Sequence, residues 1–365
     1  MKRKRIFLEF KKSGPALLVV GMLALLTTLT RPVRATFPGR NGRIAFVQQF
    51  PGLNGSGGDI YTVNPDGSDL KQLTSLGSSG TGAYYATWSS DGRYLTFQIF
   101  NPNTQQGQLW LMNADGSNQH LLFNDPLFSD FQPTFSPDGS HIVFTRCGGA
   151  AGNCAIYRVK SDGTGLTALT PFDINPDMVD FNPVYSPDGS TIAFASQARG
   201  GILASVYLMN ANGSNIRPLT TPALEGWLPD WSPDGQRLAF TTNFIGGVLD
   251  EEIWTINADG TQPTRLTSNN TDYQGYLSGP HDSAPSWSPE GDAIVFERDA
   301  PDFSSSAIYI MNTDGTGESM VLQGIGRRTP KIPPRRGYGA GKPGQDRLEL
   351  LEQGGTFPRW GAATN

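Results

Sequence analysis

The sequence predicts an all-β protein built from repeated units of short strands. Its 365 residues include 44 glycines and 27 prolines, a composition that indicates many turns. The turn sequence Ser-Pro-Asp-Gly, or a close variant of it, returns five times after a short strand that ends in an aromatic residue. Its period of about 50 residues is typical of propeller blades or solenoid turns.

The acidic residue of this turn defines the repeat. It stands at Asp91, Asp138, Asp188, Asp234 and Glu290, at spacings of 47, 50, 46 and 56 residues. Proline favours a φ of about −65° and glycine tolerates a positive φ, so the motif predicts a tight turn between two antiparallel strands. We name the strand before the turn a and the strand after it b.

Each repeat has a second half with a turn of its own. In the first of these halves, DIYTVNPDGSDLKQLT, polar and apolar residues alternate before Asn-Pro-Asp-Gly, and six such halves occur. The alternation predicts a strand c, and Asn-x-Asp-Gly predicts a hairpin into a short strand d. We therefore predict a six-bladed β-propeller with four antiparallel strands in each blade.

The end of the chain predicts how the ring closes. The first set of strands, which begins at Gly42, lacks strand a, and Phe357-Pro-Arg-Trp-Gly near the C-terminus supplies one. We expect this C-terminal strand to join the N-terminal blade and leave no sheet edge exposed. A basic segment rich in Pro and Gly, residues 325–355, is inserted before it. The blades are expected in a single domain, 36–365, at approximately residues 42–74 with 356–361, 84–123, 130–170, 180–220, 227–267 and 282–324.

Large aromatic residues recur at one place in strand a. Neighbouring blades pack face to face, and large rings are what fill the wedge that widens between them. We expect these rings to be structural core rather than ligand platforms. They are Trp88, Phe135, Tyr185, Trp231, Trp287 and Trp360.

The first 35 residues have the features of a signal peptide. A basic start is followed by an apolar run of 14 residues, 16–29, and by the small-residue site Val33-Arg34-Ala35. The run is short for a bilayer span, so a cleaved signal is favoured over a retained membrane anchor, which stays the alternative. We therefore expect an exported protein, periplasmic or extracellular.

The charge of the chain bears on its partners. The formal net charge is −5, and the first 35 residues hold eight Lys/Arg and one Asp/Glu, so cleavage would leave −12. Such a surface repels phosphate backbones, and we expect no nucleic-acid partner.

The two cysteines fit an oxidising compartment. Cys147 and Cys154 flank the sequence GGAAGN, and a short hairpin connection could bring them together. We interpret them as a structural disulfide rather than as a redox or metal site.

Some residues near the expected mouth of the channel are candidates for binding. Asp130, Asp180 and Asp282 each stand five residues before a strand-a aromatic, and Glu225 lies near the same level. A partial ring of carboxylates could hold a Ca²⁺-like cation or receive a basic partner, although a solvated acidic rim or local capping is the alternative. The connection 271–283 adds possible interface anchors, which are Tyr273, Tyr276 and His281.

The repeat, Pro-x-Trp-Ser-Pro-Asp-Gly…Ile-Ala-Phe…Asp-Ile-Tyr…Asn-x-Asp-Gly…Leu-Thr, resembles the propeller domain of the TolB family over residues 42–324 and 356–361. The resemblance implies a periplasmic, non-catalytic propeller that binds a peptidoglycan-associated lipoprotein over the channel mouth. TolB carries a separate α/β domain before its propeller. Only residues 36–41 separate the expected cleavage site from the first strand here, so we expect that domain to be missing.

An enzyme is the competing hypothesis. Propeller peptidases add an α/β-hydrolase domain with Gly-x-Ser-x-Gly, and the sequence has neither the motif nor the length for one. With three histidines in the chain, neither a Ser-His-Asp triad nor a multi-histidine metal site is expected. We predict a monomeric, non-catalytic binding protein with no cofactor except a possible Ca²⁺. The alternative is a propeller that acts on carbohydrate or peptide, with or without a metal.

Overall fold

The computed structural model describes residues 38–52, 55–76, 81–104, 106–148, 153–171, 179–197, 204–221, 223–242, 244–245, 248–249, 251–269, 279–301, 305–323 and 359–362. The expected signal peptide, the insertion 325–355, Tyr273 and Tyr276 lie outside these residues. Within them the chain forms strands, turns and loops, and none of them belongs to a helix that could cross a membrane.

The described part of the chain contains 26 strands. In chain order they are β1 (Asn41–Gly52), β2 (Gly55–Val63), β3 (Lys71–Gln72), β4 (Gly82–Trp88), β5 (Tyr94–Asn101), β6 (Gln106–Asn113), β7 (His120–Leu121), β8 (Phe128–Phe135), β9 (His141–Gly148), β10 (Asn153–Lys160), β11 (Thr167–Ala168), β12 (Val179–Tyr185), β13 (Thr191–Gln197), β14 (Ser205–Asn210), β15 (Arg217–Pro218), β16 (Trp227–Trp231), β17 (Arg237–Thr241), β18 (Phe244–Ile245), β19 (Val248–Leu249), β20 (Ile253–Asn257), β21 (Thr264–Arg265), β22 (His281–Trp287), β23 (Ala293–Asp299), β24 (Ser306–Asn312), β25 (Ser319–Gln323) and β26 (Arg359–Ala362).

Hydrogen bonds join these strands into antiparallel meanders of a propeller. Four separate sheets have four strands each, in the orders β26-β1-β2-β3, β4-β5-β6-β7, β16-β17-β20-β21 and β22-β23-β24-β25. Strands β8 to β15 form one larger sheet, in which β10 and β12 are joined by a single parallel pair, Cys154 with Val179. The all-β fold is as predicted, but the prediction of six separate four-stranded sheets is not confirmed by this sheet pattern.

The Ser-Pro-Asp-Gly turns form because their side chains bond to neighbouring backbone. In the turn before β9, the Asp138 carboxylate accepts from the Ser136 hydroxyl at 2.6 Å and from the Ser140 amide at 3.0 Å. Gly139 has a φ of 70°, which glycine adopts without steric cost. The Ser136 amide bonds to the His141 carbonyl at 2.8 Å and starts the β8–β9 ladder.

Strand a contains a bulge that the sequence did not predict. The pairing of each described strand a with its strand b shifts register once, as between Phe131 and Thr134. In β4, β8, β12, β16 and β22 the shift coincides with a non-glycine residue in the left-handed region, where φ lies between 53° and 55°. These residues are Tyr85, Gln132, Asn182, Leu228 and Ala284. Each bulge reverses which side of the sheet the following side chains face.

The core lies between neighbouring sheets. One apolar cluster packs Leu109 of β6 against Phe135 of β8 and Phe144 of β9, so the face of one sheet covers the face of the next. Burying an apolar side chain of this size contributes about 1.5–3 kcal/mol. The strand-a aromatics whose side chains are described are all buried, as a core role requires: Trp88, Phe135, Tyr185, Trp231 and Trp287. For Trp360 the backbone of β26 is described and the side chain is not.

The two ends of the chain meet in one sheet. Strand β26 pairs antiparallel with β1, with Ile44 opposite Trp360 and Ala45 opposite Arg359. A second connection lies nearby, where the Asn41 side chain donates to the Asp292 carboxylate at 3.2 Å and accepts from the Glu290 amide at 3.0 Å. The last repeat is thus tied directly to the start of the first strand.

Candidate functional site

The sheets have two unlike ends. We call the end that carries the Asp-Gly turns, such as 136–140 and 160–164, the turn face. We call the opposite end, where β8, β10, β12 and β22 begin and β9 ends, the loop face. The predicted binding residues Asp130, Asp180, Glu225, Asp282 and His281 belong to strands or connections at the loop face.

Three predicted mouth carboxylates are buried, which corrects the expectation of an open acidic ring. Asp130 is 4% exposed, and Asp180 and Asp282 are fully buried. In the strand ladders each faces a residue sixteen positions later in the chain. These partners are Arg146, Ser196 and Arg298.

Asp130 forms a buried, two-bonded ion pair. Arg146 donates from Nε to Oδ1 at 2.7 Å and from Nη2 to Oδ2 at 2.9 Å, and its Nη1 donates to Asp125 at 2.9 Å. The guanidinium lies 4.8 Å from the ring centroid of Phe128. Burial raises the pKa of Asp130 to about 6 against the opposing effect of the guanidinium, so the carboxylate is charged and paired at neutral pH.

Asp282 repeats this arrangement in the last repeat. Arg298 donates from Nε to Oδ1 at 2.6 Å and from Nη2 to Oδ2 at 2.7 Å, and its Nη1 donates to Glu318 at 2.9 Å. Its guanidinium lies 4.6 Å from the ring centroid of Tyr309. Burial, with a smaller contribution from Glu252, raises the pKa of Asp282 to about 7, and Arg298 opposes that rise.

Asp180 has a neutral partner where the other two have arginine. The hydroxyl of Ser196 donates to its Oδ1 at 2.5 Å. Because the three carboxylates are enclosed and two of them already bind guanidinium groups, they do not form the shared cation site that the sequence suggested. Among the residues that the structure describes, no three His, Cys, Asp or Glu side chains come together as metal ligands.

His281 is also buried rather than displayed. It is the first residue of β22 and has no exposed surface, with its Nδ1 3.8 Å from a carboxylate oxygen of Glu251. The prediction of a surface anchor at this position is therefore wrong. The histidine sits against the end of the neighbouring repeat, where it contributes to packing.

Glu225 differs from the other predicted carboxylates. It lies in the connection before β16 and is half-buried. Its Oε2 atom is buried and has no hydrogen-bond partner among the described residues. Burial raises the pKa of Glu225. A carboxylate in this situation can gain stabilisation from a donor that a partner molecule supplies.

A disulfide fixes the loop-face end of β9 and β10. Cys147 and Cys154 are bonded, stand directly opposite each other in the ladder and have Cα atoms 4.1 Å apart. Both are buried, and Cys147 directly follows Arg146 in the chain. The bond closes the β9–β10 hairpin beside the Asp130 ion pair.

Sequence reasoning missed Arg146, Ser196 and Arg298. A signal for them was present, because each follows its aspartate by the same sixteen residues. That interval is the length of strand a, the turn and strand b, so a constant offset marks residues that face each other across the hairpin.

Comparisons with known proteins agree with this architecture. The profile of the family described as TolB beta propeller domain matches residues 33–326. The structure resembles TolB from Acinetobacter baumannii at 20% identity and a TM-score of 0.62, over 78% of this chain and 64% of that one.

Two other solved structures share the fold. The putative TolB of Agrobacterium tumefaciens has 18% identity and a TM-score of 0.58, over 89% of this chain and 100% of that one. A chain of a nidogen/laminin complex has 14% identity and a TM-score of 0.54, over 76% of this chain and 92% of that one. At these identities the likeness shows the fold alone.

The chain spans 64% of the length of the Acinetobacter TolB. No curated protein matches it. The family profile nevertheless covers most of the sequence, and its repeats coincide with the strands, turns and buried rings described above. The chain therefore belongs to the TolB beta propeller domain family.

Proposed function

We propose that the protein is an exported, non-catalytic propeller that binds a protein of the cell envelope at its loop face. The resemblance to TolB suggests a peptidoglycan-associated lipoprotein as the partner and the periplasm as the location. A monomer is sufficient for this role. Binding of the partner involves neither nucleic acid nor a cofactor. Varied connections on a rigid sheet framework are where binding specificity usually lies.

Glu225 is the observation that carries the proposal. The other candidate carboxylates at the loop face bond to Arg146, Arg298 or Ser196, whereas a Glu225 oxygen has no such bond in the described part of the chain. A basic side chain of the partner, placed against the half-buried Glu225 carboxylate, would supply its counter-charge at this point. Bonds between charged groups contribute about 1.5–3 kcal/mol each.

The test is capture of a purified peptidoglycan-associated lipoprotein by the variant Glu225→Lys. We expect capture to weaken about tenfold or more while the thermal melt stays unchanged. The matched control is Glu290→Lys, which makes the same charge reversal at an exposed position on the turn face. Equal capture by the two variants would contradict the proposal. Asp130 and Asp282 are unsuitable for this test, because reversing either one would disrupt a buried ion pair.

We also propose that the ring has six blades. The eight-stranded sheet divides at the lone pair between Cys154 and Val179 into two meanders, β8–β11 and β12–β15. The innermost strands contact one another in the cyclic order β4, β8, β12, β16, β22, β26 and β4 again. Six inner strands and six meanders correspond to six blades.

Removing the strand that completes the first blade tests this count. Deletion of residues 359–365 should open the ring and lower the melting temperature by many degrees, because the inner edge of β1 loses its partner. Deletion of residues 363–365, which leaves β26 intact, is the control and should have little effect. An unchanged melt in the longer deletion would refute six-blade closure.

A further inference from the structure

A cavity opens on the turn face, between the sheet of β4 to β7 and the next repeat. Its volume is about 360 Å³. Leu111, Tyr94 and the buried Phe135 supply apolar surface, and Asp138 and His120 supply polar groups. Tyr94 is 44% exposed, so its ring is accessible from the cavity side. The cavity lies at the opposite end of the sheets from the proposed partner surface.

Two equivalent clefts in the ring hold an arginine of the chain itself. Arg237, the first residue of β17, lies with its guanidinium 4.8 Å from the ring centroid of Trp287 in the next repeat. Arg158 of β10 interacts with the Tyr185 hydroxyl of the next repeat and donates to the Ala211 carbonyl at 3.3 Å. In both clefts a guanidinium from one repeat meets the strand-a aromatic of the following one.

At the cavity the corresponding positions are not arginine. Tyr94 corresponds to Arg237, since each pairs with the asparagine that begins the Asn-x-Asp-Gly turn of its repeat. Leu111 corresponds to Arg158, since each pairs with the third residue of strand b. The strand-a ring here is Phe135, the smallest among the aromatics at that position. Leu111 is smaller than arginine and Phe135 is smaller than tryptophan or tyrosine, and these two differences account for the open space.

The nearby Arg93 does not fill the cleft. Its side chain is 68% exposed, and its Nε donates to the Asp91 carboxylate at 2.6 Å, which balances its charge. Among the described residues the carboxylate of Asp138 forms no ion pair with an arginine or lysine, and it bonds to Ser136 and Ser140. The hydrogen bond from Ser136, with further bonds from Ser140, lowers the pKa of Asp138 to about 2, so it is ionised at any physiological pH.

We propose that this cavity is a binding site for the guanidinium group of an arginine side chain presented by a partner protein. The planar cation lies against Phe135 and Tyr94, and Asp138 accepts its hydrogen bonds. A guanidinium suits the site because it is planar, weakly hydrated and able to stack on rings. The partner thus supplies the group that the chain itself supplies in the clefts of Arg158 and Arg237.

The direct test uses N-acetyl-arginine amide as the probe, with binding followed by chemical-shift perturbation of the full-length protein. N-acetyl-citrulline amide has the same shape without the charge, and we expect it to bind about tenfold more weakly. The lysine derivative should also bind more weakly, because an ammonium cannot stack as a plane. Equal binding of the three probes would overturn the assignment.

Two variants place an internal group in the cavity. Leu111→Arg copies Arg158, and Phe135→Trp copies the ring found in most repeats. We expect each to weaken binding of the arginine probe at least about tenfold without lowering the melting temperature. Undiminished binding by a folded Leu111→Arg variant would contradict the proposal.

A pair of matched variants tests the proposal if the Leu111 and Phe135 variants fold poorly. Asp138→Asn and Asp188→Asn alter equivalent turns, since Asp188 also accepts from the serines on either side of it. Asp138 lines the cavity and Asp188 does not. We expect weaker binding of about tenfold in Asp138→Asn alone, and equal binding by the two variants would refute the role of Asp138. The lipoprotein capture described above does not depend on this outcome.

Discussion

Aspartates at the two ends of the propeller experience opposite environments. On the turn face Asp138 is exposed and accepts hydrogen bonds from residues two positions away, and its pKa is lowered to about 2. On the loop face Asp130 and Asp282 are buried against arginines from another strand, and their pKa values are raised to about 6 and about 7. The same side chain is therefore a local turn element at one end and a link between strands at the other.

The comparison teaches that net charge is a poor guide to where this protein can bind. The loop-face aspartates looked like an open site and are satisfied internally. The turn-face aspartates looked like simple turn chemistry, yet Asp91 and Asp138 border a cavity, and Asp138 is the one of these two that has no arginine partner among the described residues. Burial and partners determine which carboxylates are available, and sequence position alone does not.

Removing the arginine of a loop-face pair should have the largest effect. We expect Arg146→Met to lower the free energy of unfolding by about 3–5 kcal/mol, because Asp130 would remain buried without its counter-ion. Urea denaturation measures the change. The double variant Asp130→Leu with Arg146→Met is the control and should recover most of the loss. A loss below about 1 kcal/mol in the single variant would mean that the pair is not enclosed.

The disulfide should have the next largest effect. Cys147→Ala with Cys154→Ala should lower the free energy of unfolding by about 2–3 kcal/mol, since the closed loop is short. Denaturation of the wild type with and without reductant provides an independent measurement. Treating the double-alanine variant with reductant is the control and should change nothing. If reductant leaves the wild type unaffected, the bond contributes little to stability.

A single turn aspartate should have a smaller effect. We expect Asp188→Asn to cost about 1 kcal/mol, because an amide oxygen accepts from Ser186 and Ser190 more weakly than a carboxylate does. Thermal melts measure this loss of stability, and Asp138→Asn should cause a loss of the same size. Costs that differ by several-fold between these two turns would show that the repeats are not energetically equivalent.

The pH dependence of stability should separate the two groups of aspartates. Turn aspartates with lowered pKa values stabilise the fold above pH 3.8, their ordinary value, and this contribution is lost as the pH falls toward 2. Asp130 and Asp282 have raised pKa values, so their contribution is complete below pH 3.8 and is lost as the pH rises through about 6 to 7. A titration of unfolding free energy should therefore decline on both sides of about pH 4 to 5.

Single variants should show which group of aspartates causes the decline in stability on each side of that maximum. Asp188→Asn should make the decline below pH 4 less steep, and Asp282→Asn should make the decline between pH 4 and 7 less steep, since other aspartates contribute to each range. If Asp282→Asn changes only the decline below pH 4, the environment described for Asp282 is wrong.

Local features of this fold were predictable from the sequence, and features that depend on distant partners were not. The turn at Asp138 was predictable, because Ser136, Gly139 and Ser140 determine it and all lie within a few residues. The burial of the Phe135 ring was predictable in the same way, because an aromatic residue recurs at this place in strand a. The burial of Asp130 was not predicted, because its partner Arg146 lies on the next strand.

The strand-a bulges could not be predicted from the sequence for another reason. Asn182, Leu228 and Ala284 precede prolines, a context that favours extended backbone, yet each adopts a positive φ. A hydrogen bond to the preceding repeat holds at least one of them, since the Asn182 backbone amide donates to the side-chain oxygen of Gln132 at 3.0 Å. Contacts between repeats thus override a local preference.

The pairing of β1 with β26 has a consequence for how the chain acquires its structure. The first sheet cannot be completed until the final strand is available, because Ile44 and Ala45 pair with Trp360 and Arg359 from the other end of the chain. Contacts so distant in sequence form slowly, since a very long loop must close first. Until then the inner edge of β1 offers unpaired backbone groups to other chains. Productive folding of the ring therefore competes with edge-to-edge aggregation, and the arrival of the last four-residue strand ends that competition.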